Sequence, residues 1–410
     1  MLFRQKSGRG EFLGKRSGWP KISRSLVIIL LAVLIFNLGV AVGNGRLSFN
    51  RPIVVSGNLP DKLDYSSINQ VYKSLRDNYD GKLNESDLLD GLKHGLAEAS
   101  HDPYTVYFTA KEAKKFEEQL NNSFSGIGAE LGKDKDDNLI VVAPIAGFPA
   151  EKVGLKAQDI IVSIDGQTTS SLSIDEAISK IRGPAGSQVK LQIVRSHSEQ
   201  LPFTITRQNI QIPSVKTKIL DGNIGYIQIV TFAEDTNQLM QQAAAKMADA
   251  KVKGIVLDLR GDPGGLLDAA VNVSSEWLPK GKLVLQEKRG PVVVNSYSAS
   301  GDNPLNGIPT VVLINEGSAS ASEITAGALH DNGAAYLIGV KSYGKGVVQQ
   351  IVNFHDGSEL KVTVASWFRP NGQNINKKGI TPDQIVKLTD DDAKVGNDTQ
   401  LKAAEDYLNK

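Results

Sequence analysis

Val311-Val312-Leu313-Ile314-Asn315-Glu316-Gly317-Ser318-Ala319-Ser320-Ala321-Ser322-Glu323 sets a short β-branched run against a run of small residues. The apolar run fits a strand buried on both faces, and the small residues allow a sharp turn into a helix from Glu323 to His330. A hydroxyl then stands at a helix N-terminus. There the N–H of Ala321 has no intrahelical partner, so it meets whatever the hydroxyl attacks. Ser342-Tyr343-Gly344-Lys345-Gly346 follows, with Lys345 25 residues after Ser320. Together the two segments read as a serine nucleophile and its lysine base. The plain alternative is a turn whose hydroxyls cap the helix.

A second unit of the same kind lies upstream. The apolar stretch Ile255 to Arg260 runs into Gly261-Asp262-Pro263-Gly264-Gly265, and a helical pattern follows from Leu266 to Trp277. Glycine amides in such a turn are free to converge on an anion. Side by side, the two units would supply both halves of an oxyanion hole.

These residues resemble the carboxy-terminal processing peptidases, also called tail-specific proteases. The matching elements are the Ser-Ala-Ser-Ala-Ser-Glu run, the Leu-Arg-Gly-Asp-Pro-Gly-Gly turn and Ser342-Tyr343-Gly344-Lys345-Gly346-Val347-Val348-Gln349, within a span from about Leu63 to Leu401. The resemblance implies a crotonase-like or Clp-like αβ protease core. Its spacing from nucleophile to lysine selects Ser320 over Ser318 and Ser322, and it carries Gln349 over as the partner of Lys345. The oxyanion would be held by the N–H of Ala321 and that of Gly264 or Gly265. Asp331, 11 residues after Ser320, also has a counterpart in some members.

Elementary geometry favours a lysine base over a histidine. Of five histidines only His330 is near Ser320 in sequence, and ten helical residues place it about 280° around and about 15 Å along. Asp331 returns to the serine's face about 16 Å away, which suits a structural role. A lysine at its ordinary pKa of ~10.4 is neutral in about one molecule in 2,500 at pH 7. Burial depresses such a pKa by up to roughly 3 to 5 units. Gly344 and Gly346 allow close packing, and Val347 and Val348 make the surroundings apolar. Gln349 lies four residues on, about 13 Å along a straight strand, so contact with Lys345 requires a bend.

With 410 residues the chain can hold two or three domains, and without cysteine it carries no disulfides or thiolate metal sites. No cofactor or metal is expected. Leu26 to Gly43 is almost wholly apolar, interrupted by Asn37, and just long enough to cross a bilayer. Seven basic residues against the single acid Glu11 give the preceding arm +6, so the whole-chain charge of +1 leaves −5 for the rest. That balance argues against nucleic acid as a partner. The positive arm stays cytoplasmic, which predicts a single-pass protein of the cytoplasmic membrane with its catalytic part outside. A signal peptide cleaved near Ala41-Val42-Gly43 is the alternative.

The expected organisation is a basic arm (1–24), a transmembrane anchor (25–43), a linker (44–60), a helical region (61–122), a recognition domain (123–208), the protease core (209–388) and a helical tail (389–410). Ile68, Val71 and Leu75, then Leu88, Leu89, Leu92 and Leu96, recur at helical spacing, and a third helix starts near Ala110 with Phe116 and Leu120 on one face. The family resemblance gives such helices a part in homodimers, and ordinary core packing explains them equally well.

Phe124 to Leu131 resembles the carboxylate-binding loop of a PDZ domain, with Gly126, Ile127, Gly128 and Ala129 as the peptide-binding residues. The order of the strands and helices through about Arg207 is similar too. Gln158 stands where the family usually has glycine, at a cost of roughly 1 kcal/mol if that turn needs positive φ. Arg182 matches an arginine that couples a peptide-filled PDZ domain to the active site in some relatives.

The resulting expectation is a mixed α/β, membrane-anchored serine endopeptidase with a Ser-Lys dyad. Its partners would be proteins or peptides with free, unstructured C-termini. An inactive PDZ scaffold and a crotonase-like acyl-CoA enzyme are the rivals. The PDZ pattern and the lack of a nucleotide-binding motif count against the second.

Overall fold

The computed structural model describes residues 60, 62–196, 199–389, 392 and 396–410. The basic arm and the apolar span from Leu26 to Gly43 lie outside the described residues. Among the described residues no helix is long and apolar enough to cross a membrane. The chain divides into two compact units, Met1–Lys82 and Leu83–Lys410. In the first, helix Ser66–Asn78 leaves Val71, Tyr72 and Leu75 exposed.

The second unit is built on a six-stranded sheet. Its strand order is Val215–Leu220, Ile224–Ile229, Gly254–Asp258, Thr310–Ile314, Tyr336–Gly339 and Gln384–Ile385. All neighbours are parallel except the first pair. Side chains alternate across the sheet. Ile255, Leu257, Val312 and Ile314 pack with residues of helices Thr236–Asp249, Leu267–Ser275 and Ala321–Asp331, whereas Val256, Val311 and Leu313 pack with Ala404 of helix Thr399–Leu408. Helices on both faces explain why Gly254–Asp258 and Thr310–Ile314 are buried throughout and read as unbroken apolar runs. These two strands are neighbours, so the Gly261 to Gly265 turn and the Ser318 to Ser322 turn emerge side by side at their carboxyl ends.

A second, five-stranded sheet holds Val106–Phe108, Leu283–Arg289, Val292–Ser298, Val347–Asn353 and the long strand Glu359–Phe368, which pairs with three of the others. Helix Ala110–Leu120 precedes the recognition domain, opened by a capping box of Thr109 and Glu112.

The recognition domain has its own apolar core and a sheet ordered Ala129–Lys133, Leu139–Pro144, Ile160–Ile164, Gln188–Arg195 and Glu199–Thr206, with Gln167–Thr168 beside Ile160–Ile164. The chain enters and leaves it through the antiparallel ribbon of Ser123–Gly126 and Gln208–Gln211. Strand Ala129–Lys133 is an edge of the sheet, and helix Ile174–Ile181 follows later in the chain. Gln158 takes φ 68°, so the backbone keeps the left-handed turn and the glutamine bears its strain.

Candidate active site

Ser320 sits immediately before helix Ala321–Asp331 with φ 53° and ψ −110°, a conformation that is costly for a residue with a Cβ. Its neighbours have other duties. The Ser318 hydroxyl donates to the Leu259 carbonyl (2.8 Å) and accepts from the Asn315 N–H (3.0 Å), while the Ser322 hydroxyl donates to the Asp262 carbonyl (3.0 Å). Both are fully buried, and only Ser320 of the three lines the cavity at the end of the sheet. That cavity, about 390 Å³, is also lined by Ala321, Gly264, Gly265, Lys345 and Gln349, so it gathers every catalytic and oxyanion residue expected from the sequence.

Glu323 holds the strained turn in place. Its fully buried carboxylate accepts from the Ser320 N–H (3.0 Å), the Ser342 hydroxyl (2.6 Å), the Gly344 N–H (2.7 Å) and the Lys345 N–H (2.9 Å). One side chain thereby fixes the backbone of the serine and that of the lysine. Burial pushes the Glu323 carboxyl upward, and the four donors oppose it.

Lys345 leaves Glu323 by its side chain and enters the cavity half-buried. Its carbonyl accepts from the Trp367 indole N–H (2.9 Å), and its ammonium stands 5.2 Å from the centre of the Tyr104 ring. Among the described residues Lys345 Nζ makes no hydrogen bond. Burial is the largest influence on the amine and lowers its proton affinity; Lys361 acts in the same direction, while Asp102 and Glu323 oppose. The flanking glycines are needed for the approach: a Cβ on Gly344 would lie 2.7 Å from the Gly379 nitrogen, and one on Gly346 2.5 Å from that of Asn376.

In the facing turn, Asn315 Oδ1 accepts from the N–H groups of Gly261 (2.8 Å) and Gly317 (3.0 Å), tying the two turns together. The Gly264 N–H donates to Asp262 Oδ1 at 2.8 Å. Among the described residues the N–H groups of Gly265 and Ala321 have no hydrogen-bond partner. Asp262 is fully buried with Oδ2 unpartnered, and burial pushes its carboxyl up to about 8 against the pull of the Gly264 N–H. Arg260, just before this turn, is gripped by Asp258 (2.6 Å) and by Asp398 (2.7 Å), which also caps helix Thr399–Leu408 by accepting from the Leu401 N–H.

Gln349 behaves differently from the expectation. Its Nε2 donates to the Tyr104 carbonyl (2.8 Å), and it makes no hydrogen bond to Lys345 among the described residues. The register slips here, Val348 facing Ala365 and Gln349 facing Thr363, so the extra residue, Val364, belongs to the partner strand Glu359–Phe368. His330 faces Asp331 and Asp383, outside the cavity lining. Asp331 binds the Arg369 guanidinium and the Asn371 amide, the structural part expected of it.

The recognition loop lies apart from this cavity. Gly128 has φ 74°, and a Cβ there would meet that of Phe148 at 2.5 Å, so glycine is required. The carbonyls of Ile127 and Gly128 accept from Ala150 and Ile145, leaving their N–H groups without partners among the described residues. Ala129 begins the edge strand and Gly126 ends the entry ribbon. Arg182 stacks its guanidinium 4.5 Å from the centre of the Phe124 ring, beside Gly126.

Sequence reading missed Glu323, Tyr104, Phe116 and Lys361. Only Glu323 carries a local signal: it stands three residues after Ser320, the spacing of a capping box. Phe116 reaches the site on helix Ala110–Leu120 and Lys361 on the second sheet, while Tyr104 comes from the turn just before strand Val106–Phe108.

Residues 223–386 match peptidase family S41, and residues 140–195 match the PDZ domain. The chain is 37% identical over 326 residues to the carboxy-terminal processing protease CtpA of Bacillus subtilis, covering 80% of this chain and 70% of that one. It is 35% identical over 376 residues to CtpB of the same organism, covering 89% and 78%. A solved structure described as an S41 protease from Bacteroides fragilis shares the fold, with a TM-score of 0.52 at 17% identity over 85% of this chain and 98% of that one. The chain therefore belongs to peptidase family S41, among the carboxy-terminal processing proteases. It is a serine-type peptidase, which sets aside the acyl-CoA enzyme.

Proposed function

We propose that the protein is a membrane-anchored endopeptidase that captures protein C-termini in its PDZ domain and cleaves near them with Ser320 and Lys345. The observation that carries this reading is the convergence on one cavity of a strained serine, a half-buried lysine and two unpartnered backbone N–H groups. Neutral Lys345 takes the proton of Ser320 Oγ as the oxygen attacks the scissile carbonyl, and the C–O⁻ that forms is held by the N–H groups of Ala321 and Gly265. Gly264 is the poorer donor because its N–H is already given to Asp262. The Lys345 ammonium then protonates the departing amine, leaving an acyl-serine that water hydrolyses with the same amine as base. Gln349 serves this step through Tyr104, whose carbonyl it holds and whose ring faces the ammonium.

The free N–H groups of Ile127 and Gly128 suit a carboxylate, and the edge strand Ala129–Lys133 suits an added peptide strand. Blocking a substrate's C-terminus as the amide is expected to raise KM about tenfold while changing kcat less, the mark of a lost binding contact. Equal KM for the free and amidated forms of one unstructured peptide would remove carboxylate capture from the mechanism. Anchoring rests on the charged arm and the apolar span from Leu26 to Gly43. In intact protoplasts, external protease is expected to digest the catalytic part and spare residues 1–24; digestion of that arm would exclude the topology.

A further inference from the structure

We propose that Lys361 is a positioning charge for catalysis: its ammonium stays cationic in the catalytic cavity and drives the proton from Lys345, readying that amine to act as base. The inference rests on the Ser320 and Lys345 reading above. Lys361 lies within strand Glu359–Phe368, paired with Val106 on one side and Ile351 on the other, and its half-buried side chain lines the same cavity as Ser320 and Lys345. Its ammonium stands over two aromatic rings, 5.4 Å from the centre of Phe108 and 5.0 Å from that of Phe116. Those rings are themselves stacked at 4.9 Å. Such a seat favours a cation and offers no proton acceptor. Among the described residues no carboxylate pairs with Lys361, so its field reaches the cavity without a local counter-charge.

The groups facing Lys345 make that field necessary. Tyr104, with Tyr343 beside it, presents a ring face that favours the ammonium. Asp102, from the same loop as Tyr104, and Glu323, from the helix behind Ser320, hold the proton on Lys345 by charge. Both carboxylates are partly spent on other donors, Asp102 on the Thr105 hydroxyl and the Tyr104 N–H, Glu323 on its four bonds. Against them stand burial and Lys361, the one cation among these groups. The two lysines are not equivalent. Burial lowers both amines and the repulsion between the two ammoniums is mutual, but Lys361 stands over two stacked rings where Lys345 faces one. That seat keeps the charge on Lys361 while Lys345 gives up its proton.

The test is the pH dependence of kcat on one unstructured peptide without Asp or Glu, for wild type, Lys361→Met, Lys361→Arg and Lys345→Ala. Loss of the charge in Lys361→Met is expected to move the acid limb up by about one pH unit, so that below the limb the rate falls about tenfold. Lys361→Arg keeps a cation over the same rings and is expected to hold the wild-type limb. Lys361→Gln should shift like the methionine variant, and it replaces that variant if methionine fails to fold. A limb unmoved in the uncharged variants, or moved equally in Lys361→Arg, overturns the proposal. Retained turnover in Lys345→Ala would instead overturn the dyad itself, so the two failures are separate.

Discussion

Ser320→Ala is expected to abolish peptide cleavage, by about 10⁴-fold or more in kcat, and Lys345→Ala to match it, because nucleophile and base act as one unit. Neither variant should lose its fold. Relief of the strained φ at 320 does not follow from alanine, which keeps a Cβ, and the Lys345 ammonium makes no hydrogen bond among the described residues that folding would miss. The neighbouring serines give the contrast. Ser318→Ala and Ser322→Ala each remove a buried hydroxyl bonded to a backbone carbonyl, so they should cost roughly 1 to 3 kcal/mol of stability with a smaller effect on turnover. Steady-state cleavage and denaturant unfolding of the four variants decide the matter. Wild-type turnover in Ser320→Ala would end the assignment of the nucleophile.

The second large effect belongs to Glu323→Ala. Four donors, three of them backbone N–H groups on the serine and lysine segments, lose their acceptor in a site closed to water. Each unsatisfied donor costs about 1 to 3 kcal/mol, and a total loss of about 4 kcal/mol is expected after partial relaxation. Turnover should fall by about 10³-fold because both reacting side chains lose their anchor, with peptide binding at the distant PDZ loop little changed. Glu323→Gln keeps one acceptor oxygen but points an amide at the Ser320 and Lys345 N–H groups, so it should rescue only part of either loss. A Glu323→Ala protein with near-normal stability and turnover would show that the carboxylate is not the clamp its bonds suggest.

Local patterns made the catalytic turns legible. The run Val311 to Ile314 and the small residues after it determine a buried strand and a tight turn, and the same grammar holds for Ile255 to Gly265. The choice of Ser320 needed family spacing at the sequence level. In the structure it has a physical reason, since the hydroxyls of Ser318 and Ser322 are committed to carbonyls. Gln349 shows the limit. Its partner is a carbonyl 245 residues earlier in the chain, and no periodicity announces it. Lys361 is hidden for a related reason: a lysine in an alternating strand reads as solvent-facing until the aromatic pair of Phe108 and Phe116 is known to lie above it.

The grip of Asp398 on Arg260 has a consequence for the order in which the enzyme is made. The two residues are 138 positions apart. At about 5 to 20 residues per second of synthesis, the downstream carboxylate arrives roughly 7 to 28 s after its arginine. Throughout that interval Arg260 has Asp258 alone, and the glycine turn that follows it is tethered from one side. The serine turn, the lysine and their shared glutamate are all synthesised before the second tether exists, so the nascent chain holds the parts of a protease ahead of the bond that finishes its frame.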